Sequence, residues 1–129
     1  SGNIQVTTPG GIATQGTFTF IPQPPTITSF IPTSAGAGTT VTITGTNFAG
    51  VSVVSFGGVN ATSFTVISPT QINAVVAAGG ASGSVRVTAL GGTIMTPGFA
   101  FIPPPTVSSF LPTSAGTGTV VTINGTGFT

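Results

Sequence analysis

Residues 24–48 read PPTITSFIPTSAGAGTTVTITGTNF, and residues 104–128 read PPTVSSFLPTSAGTGTVVTINGTGF. Aligned without gaps, 18 of these 25 positions are identical. Pro25 and Pro105, Phe30 and Phe110, and Gly45 and Gly125 are each 80 residues apart, a spacing that marks a domain-sized tandem repeat. Within the stretch, Val41 and Ile43 alternate with Thr40, Thr42 and Thr44. That period of two predicts a strand with one apolar and one hydroxyl face. The preceding PTSAGAG, residues 32–38, forces a turn through proline and glycine.

A second match lies at the other end of the unit. SGNIQVTTPGG at 1–11 resembles SGSVRVTALGG at 82–92, an offset of 81. The 129 residues therefore divide into the tail of one unit (1–23), a complete unit (24–103) and the head of a third (104–129). With no initiator methionine and no leader segment, the sequence reads as a window from a longer chain.

In the complete unit, glycine and proline recur every few residues and no stretch holds an apolar period of 3.6, so helix is excluded. Seven strands are predicted instead. The first, 26–30, places Ile27 and Phe30 in the core, and the second, 39–45, places Val41 and Ile43 there. The third, 52–57, contributes Val54 and Phe56, and the fourth, 63–67, contributes Phe64 and Val66. The fifth, 71–76, turns Ile72, Ala74 and Val76 to one face. The sixth, 84–89, buries Val85 and Val87, and the last ends at Phe99 and Phe101. Short strands bounded by glycine and proline turns predict an all-β fold of tandem immunoglobulin-like antiparallel sandwiches. Between units the chain passes through Pro22, Pro24 and Pro25, and again through Pro103, Pro104 and Pro105. Proline restricts φ and favours extended geometry, so these joints act as stiff spacers.

Composition bounds the function. Arg86 is the sole lysine or arginine, and Asp, Glu, His, Cys, Tyr and Trp are all absent. One guanidinium is no basic patch, which removes phosphate-driven nucleic-acid binding. General acid–base catalysis has no titratable group to use, and a serine or threonine without a base partner is inert, so no enzyme and no cofactor is expected. Metal binding lacks carboxylate, imidazole and thiolate ligands alike. No apolar run is long enough to span a membrane as a helix. A mean hydropathy of +0.60 nevertheless indicates a chain able to bury a core, and its 26 threonines supply the polar surface.

Three features remain as candidates for contact. Arg86 sits between Val85 and Val87 and so points outward, with Gln5 at the matching position of the preceding unit. Asn60-Ala61-Thr62 is a candidate N-glycosylation site near a Gly-Gly turn, whereas Asn124-Gly125-Thr126 falls inside a strand pattern. The ten phenylalanines sit mostly at strand positions where burial accounts for them, and with no Trp or Tyr a flat aromatic sugar platform is disfavoured.

The order ITSFIPTSAG, VTITGTNF, SFGG and SGSVRVT…GG resembles the IPT/TIG repeat, an immunoglobulin-like β-sandwich, and the likeness runs through the whole chain as one full and two partial copies. The resemblance also makes Phe48 and Phe128 structural. It implies membership of a family found in receptors, transcription factors, starch-processing enzymes and tandem arrays on bacterial surfaces. This sequence lacks the basic loops of the DNA-binding members and the cysteines of the receptor members, and so stands with the bacterial arrays. The expected function is a structural repeat of a large extracellular, cell-surface or secreted bacterial protein, forming a stiff rod or filament. Its partners would be neighbouring repeats of the same chain and further copies in self-association. The alternative is an adhesin or carbohydrate-binding surface module, with glycans held by the loops at 46–52 or 78–84.

Overall fold

The computed structural model describes residues 1–128, so the expected third unit, 104–129, has its last residue, Thr129, outside the described residues. The chain begins with a hairpin of β1 (Gly2–Thr8) and β2 (Gly11–Phe18). It continues through β3 (Thr26–Ile31), β4 (Ser34–Ala35), β5 (Thr40–Thr46), β6 (Val53–Phe56), β7 (Val59–Asn60), β8 (Ser63–Ser68), β9 (Gln71–Val75), β10 (Gly83–Ala89) and β11 (Gly92–Phe101). It closes with an antiparallel pair, β12 (Thr106–Leu111) and β13 (Thr122–Thr126). No helix occurs among the described residues, as the proline and glycine spacing requires.

Strands β3 to β11 form a sandwich of two sheets, one ordered β3-β5-β9-β8 and the other β4-β11-β10-β6-β7. All pairings are antiparallel except β4 with β11, where Ala100 lies opposite Ser34 and Phe101 opposite Ala35. This short pairing is the main departure from the sequence reading, which made 32–38 a turn alone. Residues 34–35 lie in extended backbone beside β11, and the Ile102 amide donates to the Ala35 carbonyl at 3.0 Å. A two-residue element is too short for periodicity to reveal. β7, also two residues, was invisible for the same reason.

The core follows the alternation. Val41 and Ile43 of β5, Ile72 and Ala74 of β9, Val54 and Phe56 of β6, and Val85 and Val87 of β10 are buried between the sheets, with Phe30, Phe99 and Val76 beside them. Ile27, Phe64 and Phe101 are partly buried and pack against this cluster. Val66 is not a core residue: it is 39% exposed. It lies on edge strand β8, which pairs on one side only, and the β8–β9 register shifts between Val66 and Ser68, so its period of two does not translate into burial. The periodic reading left out Ala35 and Ala89, whose small side chains carry little apolar signal yet are buried.

The flanking pairs reproduce the geometry of their counterparts. β1–β2 pairs Ile4 with Gln15 and Val6 with Ala13, and β10–β11 pairs Val85 with Thr96 and Val87 with Ile94. Both ladders shift register at equivalent points, Gly2/Ile4 and Gly83/Val85. β12–β13 likewise repeats β3–β5, with irregularities at Val107/Ser109 and Ile27/Ser29. The hydroxyls of Thr26 and Thr46 meet at 2.8 Å, as do those of Thr106 and Thr126. The same residues at the same spacing select the same bulge and the same side-chain bonds.

Candidate functional site

Two regions bring together polar groups that the sandwich core does not use. The first is the passage from β2 to β3. Residues 19–25 carry no strand, and here Pro25 is buried, Pro22 half-buried and Pro24 exposed. The Asn47 side-chain amide donates to the Pro24 carbonyl at 2.9 Å, and Asn47 holds φ at 60°, a left-handed conformation that asparagine tolerates better than most residues. Across the same passage, the turn after β10 brings Gly91 so close to the Gln23 carbonyl that a Cβ there would overlap it. A groove of about 290 Å³ lies between these elements, lined by Phe20, Ile21, Gln23, Asn47 and Leu90 among others. At the passage from β11 to β12, Pro103, Pro104 and Pro105 are all exposed. Gly127 stands there in place of Asn47, so the side-chain bond to the joint has no counterpart.

The second region lies on the outer face of the β6-β10-β11 sheet. Because Val85 and Val87 face the core, Arg86 faces outward, as alternation requires. Cross-strand pairing sets a row of four residues across the sheet: Asn60 opposite Ser55, Ser55 opposite Arg86, and Arg86 opposite Met95. The Arg86 Nε donates to the Ser55 Oγ at 3.2 Å, and the arginine is half-buried. Ser55 is only 1% exposed and is the sole buried polar residue among the described residues. Beside this pair the Gly57-Gly58 turn packs against residues 81–83. Gly57 sits at φ 57°, and a Cβ on it would overlap the Ala81 carbonyl. The result is a groove of about 240 Å³ floored by glycine backbone and flanked by Ser82, Ser84, Arg86 and Met95.

The two loops expected to offer ligand contacts thus border different grooves. Asn47 and Ala49, from 46–52, line the joint, and Ser82 and Gly83, from 78–84, line the Arg86 groove. Asn60 is exposed on β7 and borders a smaller depression of about 170 Å³ with Phe64. Asn124 donates its side-chain amide to Ser109 Oγ at 3.1 Å. Phe48 is 1% exposed, whereas its counterpart Phe128 is 56% exposed. Sequence reasoning passed over Asn47 and Ser55. For Asn47 the signal was an asparagine directly after the Gly45-Thr46 end of β5. For Ser55 it was the one hydroxyl between buried Val54 and Phe56.

No helix of the structure is long and apolar enough to cross a membrane, a statement that does not bear on β-barrels. The profile of the IPT/TIG domain matches residues 25–101, the whole sandwich. The chain belongs to the IPT/TIG family.

Among solved structures, this IPT/TIG chain is similar to SGBP-B from a complex xyloglucan utilization locus in Bacteroides uniformis, with 25% identity and a TM-score of 0.58 over 78% of this chain and 29% of that one. It is also similar to a crystal structure with xylogluco-oligosaccharide, with 30% identity and a TM-score of 0.52 over 74% of this chain and 22% of that one. A putative phosphatase from Bacteroides thetaiotaomicron matches with 26% identity and a TM-score of 0.53 over 66% of this chain and 19% of that one. The chain therefore spans less than a third of each of these proteins. Comparison with curated proteins returned no match. Two of these three proteins are described with xyloglucan or a xylogluco-oligosaccharide.

Proposed function

We propose that this chain is an immunoglobulin-like module of an extracellular, carbohydrate-binding surface protein. The observation that carries this reading is the likeness to SGBP-B and to the structure with xylogluco-oligosaccharide, each over about three quarters of the chain. Fold alone does not assign function, and the two grooves supply the chemistry. Hydroxyls, amides and backbone groups dominate their polar lining, and each also offers an apolar surface, Leu90 at the joint and Met95 beside Arg86. Such mixed surfaces suit sugars, which present hydroxyls on their edges and C–H groups on their faces. Binding suits these grooves better than catalysis, which would call for a carboxylate, imidazole, thiol, phenol or lysine side chain to move a proton.

A second reading, that of a stiff spacer, has its own supporting observation in the recurring strand registers. Residues 1–23, 24–103 and 104–129 are taken as successive units of one array, with proline joints setting the angle between neighbours. In this reading the Asn47–Pro24 bond and the Gly91–Gln23 approach seat one unit on the next, and the array holds a glycan-binding part away from the cell. The two readings are compatible within one long protein.

Titration calorimetry of the 129-residue chain and of the full-length protein against a panel of plant and bacterial oligosaccharides, including xylogluco-oligosaccharide, tests the carbohydrate reading. Saturable binding by the chain supports it. Binding by the full-length protein with none by the chain assigns the chain to the spacer role, and absence of binding by both overturns the carbohydrate reading.

A further inference from the structure

We propose that the groove over Ser55 binds the carboxylate of an acidic sugar residue, held by the terminal nitrogens of Arg86. This deepens the carbohydrate reading above and rests on it. The starting point is electrostatic. The sequence contains no Asp and no Glu, so Arg86 has no side-chain carboxylate to pair with, yet it is half-buried against the sheet. A cation drawn out of water gains most from an anion that can reach it.

The guanidinium is also oriented for such a ligand. Its Nε is engaged by Ser55 Oγ at 3.2 Å, which fixes the plane of the fork. The terminal nitrogens make no side-chain hydrogen bond among the described residues, so they remain to face a carboxylate. Ser55 is itself 1% exposed, so this support is built into the sheet.

The walls fit a sugar more closely than a bare anion. The Ser82 Oγ accepts from the Phe101 backbone amide at 2.8 Å, which leaves its own O–H to donate into the groove. Gly57 and Gly58 place no side chain over the floor. Met95, 61% exposed beside Arg86, offers a thioether surface for the C–H face of a sugar ring. A volume of about 240 Å³ is small for a ligand pocket and suits a single sugar residue of a longer chain. A carboxylate matches one planar guanidinium in both charge and shape, and no second cation is present to favour a dianion.

Because the sequence has one arginine, its Nε–H signal in a ¹H–¹⁵N spectrum reports this site without ambiguity. The chain is titrated with an oligogalacturonate, with the same oligosaccharide as its methyl ester, with a sulfated oligosaccharide and with neutral xylogluco-oligosaccharide. The oligogalacturonate is expected to shift the Arg86 Nε–H signal and to bind at least about tenfold more tightly than its methyl ester, the range of a charge-assisted hydrogen bond. Arg86→Gln, which installs the residue found at position 5, should abolish that preference while leaving the thermal melt intact. Ser55→Ala should weaken oligogalacturonate binding severalfold by freeing the fork. Equal affinity for acid and ester, an unchanged affinity in Arg86→Gln, or preference for the sulfated sugar over the uronate each overturns the proposal. If the neutral oligosaccharide binds and the uronate does not, this site assignment fails and the carbohydrate reading stands. If no saccharide binds, both fail.

Discussion

Asn47 donates its side-chain amide to the carbonyl oxygen of Pro24 at 2.9 Å, while its own backbone turns through φ 60°. One residue thus ends β5, reverses the chain and fastens the proline passage that precedes β3. The backbone of Gly91 lies so near the neighbouring Gln23 carbonyl that a Cβ there would overlap it. A hydrogen bond at the Pro24 carbonyl and close backbone approach at the Gln23 carbonyl give this linker without strand pairing a defined course.

Replacing Asn47 separates its two contributions. Asn47→Ala loses the hydrogen bond and places a Cβ-bearing residue in the left-handed region, at an expected cost of about 1–2 kcal/mol. Asn47→Gly removes the bond but relieves the backbone, so its loss should be about half as large. Urea unfolding of both variants checks the order.

Gly91 leaves no space for a side chain. Gly91→Val drives a branched side chain into the Gln23 carbonyl, with an expected loss of about 2 kcal/mol or more and displacement of the joint. Denaturant melts give the stability term. Residual dipolar couplings across residues 19–25 report the displacement, and unchanged couplings would count against a fixed joint.

Two large apolar side chains of the sandwich should respond very differently. Phe48 is 1% exposed, and Phe48→Ala should cost about 3–5 kcal/mol by leaving a cavity. Val66 is 39% exposed on the edge strand, and Val66→Thr should change stability by less than about 0.5 kcal/mol. Thermal and chemical melts of the two variants make the comparison.

The pH response follows from linkage. Stability changes with pH only where folded and unfolded states bind different numbers of protons, and this sequence has no Asp, Glu, His, Cys, Tyr or Lys side chain to supply the difference. The slope is therefore near zero, and the unfolding midpoint should stay constant from about pH 4 to about pH 10, a range in which other proteins titrate their carboxylates, imidazoles and amines. Urea titrations at several pH values check it, and a sigmoidal change in midpoint would contradict it.

Much of this protein was legible in residues 24–48. The period of two at Val41 and Ile43 and the proline and glycine turns identified strands and chain reversals, because both depend on local sterics and side-chain alternation. The lack of Asp, Glu, His, Cys, Tyr and Lys side chains was equally plain, since side-chain chemistry is a property of composition. Other features were decided only by tertiary structure. The exposure of Val66 depends on which strand forms the sheet edge. The pairing of β4 with β11 and the closing of Gly91 on Gln23 depend on segments far apart in sequence. The alternation around Arg86 showed only that it points outward; its place opposite Ser55, 31 residues away, depends on the β6–β10 register. Local pattern specifies the longer strands, but which strands become neighbours is settled by burial of the shared core, and the grooves are formed where those neighbours meet.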